Sequence, residues 1–368
     1  MMTKPFLLPL LLAVMMPVAT GCRDRLIPPD DSESIWSGRS VIYNGFNILS
    51  ESYGPIYIQS LDATQDVVDR IIPDGYIPYP ARGGAFLYIR DDGSGPELYI
   101  HANNTDRLLV RGPGGAMTDG RAVAVLSDDG STVAYLQRGL FLDTALYLCI
   151  VSATNPAAVP DTAPIAVGEV RSMLFSPDGN YIAMSIINPD GISEDIHVYD
   201  RNSRQIIRQI SNRLPDTVLP LASQSLYWFQ WMPDSRGIVY RGLDPIFGSG
   251  IFVSWLDIPF VWPIARDESY SFPTPSPTGG HIAAIRDGQL WLMNIDGSNQ
   301  RKFSHAPLGD VDIALGLQWS ADGSKILINR ANIDINRIDI KAVVEVLDIA
   351  TGRRKALASI EAPGLWYE

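Results

Sequence analysis

"FSPDGNYIAMS", residues Phe175 to Ser185, is a turn between two apolar runs, and it has companions along the chain. They are "LSDDGSTVAYL" (Leu126 to Leu136), "PSPTGGHIAAI" (Pro275 to Ile285) and "WSADGSKILIN" (Trp319 to Asn329). Aligned on the residue before the turn glycine, or its equivalent, the copies fall at Ser37, Arg82, Asp129, Asp178, Asp234, Thr278 and Asp322. The separations are 45, 47, 49, 56, 44 and 44 residues. A near-constant period in the forties is the mark of a repeat architecture, and four strands per unit fits that length.

Each copy follows one physical script. An apolar or aromatic residue leads in, as at Phe175, Trp231 and Trp319. A Pro/Asp/Gly turn then reverses the chain, because aspartate accepts hydrogen bonds from its own turn and glycine tolerates positive φ. An alternating strand follows ("KILIN", "YIAMS", "GIVYR"), then a variable loop and a second apolar strand ("DIHVYDR", "QLWLMNID", "VVEVLDI"). A polar turn such as "DGSNQ" leads to a last strand such as "RKFS". No amphipathic helical stretch of 12 or more residues follows the leader. The expectation is an all-β chain, a seven-bladed β-propeller of four-stranded antiparallel blades over residues 36–368, with six or eight blades as the alternatives.

"FSPDGNYIAMS…DIHVYDRNSRQIIRQIS" and "PSPTGGHIAAI…QLWLMNIDGSNQRKFS" resemble the WD-like repeats of TolB-type β-propellers, and the likeness runs from about Trp36 to the end. Copies one ("WSGRSVIYNG") and two ("PARGGAFLYIR") lack the turn aspartate and rest on spacing and strand pattern. The family's best-known member carries six blades and an α/β domain, and no such domain is visible here. Closure is also legible. Copy one lacks a lead-in strand, while the C-terminal "APGLWYE" (Ala362 to Glu368) resembles the lead-in "ALGLQWS" (Ala314 to Ser320), so the tail is expected to complete the first blade and protect its edge.

The chain starts "MMTKPFLLPLLLAVMMPVATGC": one lysine, a 15-residue apolar run from Pro5 to Ala19, then small residues before Cys22. That is the charged–apolar–small order of an export signal. The run is shorter than the roughly 20 residues of a membrane span. "VATGC" resembles the lipobox of bacterial lipoproteins, which implies a signal peptide over 1–21, lipid on Cys22, and a polar tether over 22–35. An ordinary cleaved signal with a chance cysteine is the alternative. Cys149, mid-strand in "LYLCIVS", reads as a small buried hydrophobe. The expected address is the bacterial cell envelope, on the cell or outer membrane and facing periplasm or exterior.

The formal charge is −12, or −13 without the leader, which excludes a general nucleic-acid surface needing a basic stripe. The histidines, His101, His197, His281 and His305, form no local metal pair, and neither H-E-x-x-H nor a nucleophile elbow occurs. No cofactor or metal is expected. "RGPGGAMTDG" (Arg111 to Gly120) lacks the lysine of a phosphate loop and reads as a linker. In propellers of this type, as the resemblance implies, interblade linkers and the loops of each blade's middle hairpin share one face, opposite the "SPDG" turns. On that loop face Arg241, Phe247, Arg330 and Arg337 are the candidate binding groups, since arginine and aromatic side chains dominate hot spots. The stretches around residues 153–168, 211–225, 242–250 and 331–341 are read as its long loops. Trp228, Trp231, Trp255, Trp291 and Trp319 are read as core. The expected function is a non-catalytic, lipid-anchored binding or scaffold module, monomeric as a ring, for an envelope protein, peptide or cell-wall polymer. The alternative is an exported carbohydrate-active lyase or hydrolase with its site at the channel mouth.

Overall fold

The computed structural model describes residues 39–367 except 48–51, 62–67, 73–74, 81–83, 92–95, 112–116, 119–120, 123, 139–145, 156–158, 166–168, 189–193, 212–227, 245–247, 304–310, 335–338 and 358–363. The leader, Cys22 and the tether therefore lie outside the described residues, as do Phe247, Arg337 and His305.

Seven four-stranded antiparallel sheets make the ring, and among the described residues there is no helix. Blade four shows the plan. Its strands Glu169–Phe175, Tyr181–Ile187, Glu194–Asp200 and Gln205–Ser211 pair in sequence order from the axis outward. Burial peaks in the two middle strands. The third strand is buried from Glu194 to Tyr199, whereas the outermost exposes Ile206 and Ile207. Blade one breaks sequence order as expected: Gly364–Tyr367 supplies its innermost strand, pairing antiparallel with Ser40–Asn47 in the register Ser40↔Tyr367 to Tyr43↔Gly364.

Apolar side chains on both faces of each sheet pack against the neighbouring blades, so the core is a chain of interblade clusters. Ala183, Ile196 and Val198 of blade four meet Phe229, Trp231 and Ile238 of blade five. The seam is built the same way, with Leu327, Val344 and Val346 of blade seven against Val41 and Leu61 of blade one. Each fully buried aliphatic side chain of this kind contributes about 1.5–3 kcal/mol. Cys149 is 1% exposed within such a cluster, and burial pushes its thiol up to about 11, so it behaves as an inert hydrophobe.

The repeated turn explains the motif. Ser176 Oγ donates to Asp178 Oδ1 (2.6 Å) and accepts from the Tyr181 amide (2.9 Å), while Asp178 also accepts from the Asn180 amide (3.0 Å). Gly179 lies at φ +70°, where an L side chain is strained. The same set recurs at Ser127–Asp129 and Ser320–Asp322. At blade five Ser235 takes the glycine's place at φ +61°, and its Oγ accepts from the Asp178 amide of the neighbouring blade (3.0 Å).

These donors hold the turn carboxyls below the usual range. At Asp129 the Ser127 hydroxyl leads. At Asp178 and Asp322 burial pulls upward and is outweighed by hydroxyl and amide donors, with Arg39 adding to the set at Asp322. A folded pKa below the unfolded value of about 3.9 gives stability that is complete above about pH 4 and lost as pH falls through the folded values. The melting temperature is therefore expected to be flat from about pH 5 to 8 and to drop below about pH 4. Asp178→Asn should shrink that acid drop in thermal melts. An unchanged drop would mean that the turns do not carry it.

Two expected loops are corrected. Residues 331–334 and 339–341 continue the middle hairpin of blade seven: strands Lys325–Asp334 and Asp339–Asp348 stay in register out to Asp334↔Asp339. Likewise 242–244 and 248–250 are paired strand, from Gly242↔Gly250 to Asp244↔Gly248. The 111–120 linker contributes Met117–Thr118 to a small two-stranded hairpin with Arg121–Ala122.

Candidate functional site: the turn face of the ring

The innermost strands converge on a basin at the turn end of the channel, about 300 Å³ in volume. Its wall repeats one sequence position, four residues before each aligned turn residue: Val125, Leu174, Gln230, Thr274 and Gln318, from five consecutive blades. Alternation in a strand sends the next residue away from the axis. That residue is Trp231 in blade five and Trp319 in blade seven, 7% and 8% exposed. Each indole donates to the backbone carbonyl of the wall residue one blade back, Trp231 Nε1 to Leu174 O (3.2 Å) and Trp319 Nε1 to Thr274 O (2.9 Å). The tryptophans thus key adjacent blades together directly behind the wall. Pro177, Pro233 and Pro277 form the rim with Asp128.

One layer deeper, two residues earlier in each strand, stand Trp228, Phe272 and Gly316. Trp228 and Phe272 meet edge-to-face with centroids 4.5 Å apart. A Cβ on Gly316 would fall 2.9 Å from Trp228 Cη2, so the glycine leaves room for the indole. Phe272 is held at φ +54° beside a register shift between Ser271 and Thr274, a costly backbone state for a bulky residue. Phe272 also packs against the apolar cluster between blades six and seven.

A second concavity adjoins the first, sharing Pro233. It runs outward between blades five and six as a groove of about 460 Å³ lined by Trp255, Trp262, Ile264 and Ile295, with Asp234 and Asp296 at its edge. Trp262 is 63% exposed. The groove wall is fixed by Gly297, whose φ is +82° and on which a Cβ would fall 1.9 Å from the Ile264 carbonyl oxygen.

The sequence placed its candidate groups on the opposite face. Arg241, half-buried there, donates to the Glu268 carbonyl (2.9 Å) and ties down the linker into blade six. The expectation that Arg330 is a surface group is corrected. It is 2% exposed and donates to Glu345 (3.1 Å), with Arg354 on the other carboxylate oxygen (3.5 Å). The position read as loop is a buried strand residue. His101 stacks on Phe86 (4.9 Å) and bonds Asp106 (2.8 Å) in blade two, His197 is buried in blade four, and His281 is exposed in blade six. Among the described residues no three His, Cys, Asp or Glu side chains converge as a metal site. Of the five tryptophans read as core, Trp231 and Trp319 are buried and Trp228, Trp255 and Trp291 half-buried. Sequence reasoning missed Trp262. The period-two run Phe260, Trp262, Ile264 beside Pro259 and Pro263 was the available signal of an outer strand with one apolar face.

No family model matches this chain, and no curated protein matches it by sequence. Solved structures do match. An oligogalacturonate lyase in complex with manganese is 12% identical over 87% of this chain and 84% of its own, with a TM-score of 0.55. A TolB candidate of Agrobacterium tumefaciens is 18% identical over 72% of this chain and 88% of its own, with a TM-score of 0.42. At such identities the likeness is one of fold. The chain is a seven-bladed β-propeller closed by its C-terminal strand.

Proposed function

We propose that this protein is a non-catalytic binding module of the TolB-like kind, held at the bacterial cell envelope by lipid on Cys22, which receives a protein or peptide on the turn face of its ring. The observation that supports the reading is the basin, whose wall carries the side-chain amides of Gln230 and Gln318 on a frame keyed by tryptophans. Such groups read hydrogen-bonding partners, and a rigid frame lowers the entropy lost on association. An acidic polysaccharide, the substrate class in the name of one structural neighbour, fits less well. The described lining carries Asp128 and no basic side chain, and the whole chain is strongly acidic.

The test is crosslinking and capture from native membranes. Wild type should bring down one defined envelope protein, and Gln230→Leu/Gln318→Leu should lose it while melting normally. Cys22→Ser should move the protein from the membrane to the soluble fraction. Capture unaffected by the double substitution would refute the basin as the binding site, and turnover of a cell-wall glycan by wild type would refute the non-catalytic reading.

A further inference from the structure

The groove between blades five and six is more apolar than the repeat requires. The corresponding groove between blades three and four is polar, lined by Ser131, Ser152, Thr154, Asn180 and Arg201 with Asp161 at its edge. Between blades five and six Trp255, Trp262 and Ile264 replace those groups. The turn that leads into the strand of Trp262 and Ile264 adds exposed apolar side chains, with Phe260 72% and Ile258 44% exposed. Leaving such a run of side chains in water gains the fold nothing, and contiguous exposed apolar surface marks an interaction site.

The charged groups that line it, Asp234 and Asp296, have one sign. Asp234 and Asp296 are exposed at the groove's edge, and no lysine or arginine lines it. Nearby Arg236 is paired with Asp257 (2.8 Å). Tryptophan faces beside carboxylates attract a cation both by charge and through the ring quadrupole. A glycan needs many polar contacts along such a cleft, and this one offers two carboxylates in an otherwise apolar lining. An anionic membrane surface is repelled by the same carboxylates.

We infer that this groove docks an extended segment of a partner protein carrying an apolar or proline-rich anchor beside a basic residue, with the adjoining basin receiving the segment's polar continuation. The inference rests on the binding reading above and adds the partner's chemistry. Proline-rich segments suit aromatic-lined grooves because their extended form is already ordered. The groove is pre-formed as well, since Gly297 locks the blade-six turn against Ile264.

The probes are two fluorescein-labelled ten-residue peptides with the same Leu/Pro/Trp core, one flanked by arginines and one by glutamates. Fluorescence anisotropy with the full chain should show binding of the arginine peptide, weakening with salt, and none of the glutamate peptide. Trp262→Ala, at an exposed position that spares the fold, should weaken binding at least tenfold. Asp234→Asn/Asp296→Asn keeps the turn acceptors and should flatten the salt dependence. Equal binding of both peptides, or full binding by Trp262→Ala, overturns the inference. So does a wild-type dimer in sedimentation that Trp262→Ala dissolves, since the occupant would then be a second copy. In the membrane capture, loss of the partner with Gln230→Leu/Gln318→Leu but not with Trp262→Ala overturns the groove alone, and loss with neither overturns the binding site and the groove together.

Discussion

Removing residues 364–368 is expected to lower the melting temperature sharply and to make the protein self-associate. The deletion strips four residue pairs from the ladder with Ser40–Asn47. At about 1 kcal/mol per net hydrogen bond the lost ladder is worth several kcal/mol. It also bares a strand edge, which is a template for pairing with another chain. Other seam contacts remain: Arg39 with Asp322, and Lys355 Nζ donating to the Leu61 carbonyl (2.6 Å). The ring should therefore loosen at blade one and not dissolve. Thermal melts with sedimentation at several concentrations check the result. A peptide spanning 362–368, added in excess, should restore both stability and the monomer by refilling the edge. A truncated chain that melts as wild type and stays monomeric would show that the terminal strand is dispensable.

The second large effect is expected at Glu345. It sits 8% exposed between Arg330 and Arg354, and burial draws both guanidinium pKa values down against the pull of the carboxylate. Glu345→Ala leaves Arg330 buried with its charge uncompensated, which costs about 3–5 kcal/mol. Replacing the pair together, Arg330→Met with Glu345→Leu, removes both desolvation penalties and leaves only Arg354, a quarter exposed, to turn to water, so it should be markedly milder than the single change. Denaturant titration of the single and double variants gives the comparison. A single substitution as mild as the double would mean that water reaches the arginine. The double variant also bears on recognition: with a buried Arg330, partner capture should be unchanged.

The fold was legible because its signals are local and repeated. A Ser-x-Asp-Gly turn needs only its own donors and its glycine, so three exact copies and one with threonine for aspartate stand out, and even the closing strand showed itself as a lead-in without a turn. Two of the expected loops were misread because a variable stretch between strands was taken as loop. Strand pairs that run on past their neighbours, such as Asn332↔Lys341, resemble loops in a linear reading. Arg330 illustrates the same limit: its partner Glu345 lies on the next strand, and only pairing brings them together. The basin wall was also hidden. Val125, Leu174, Gln230, Thr274 and Gln318 share a repeat position and no chemistry, so their common outlook appears only when the blades close into a ring.

The pairing of Ser40 with Tyr367 has a kinetic side. Its partners are the first and last paired residues described, so their contact closes the largest loop in the molecule and comes at the greatest entropic cost. During synthesis the other blades can form as their strands emerge, while blade one waits as three strands with an open flank. That interval, not the finished ring, is when the chain is most exposed to mispairing with its neighbours. Yield on refolding should accordingly fall with protein concentration even where the native monomer is stable.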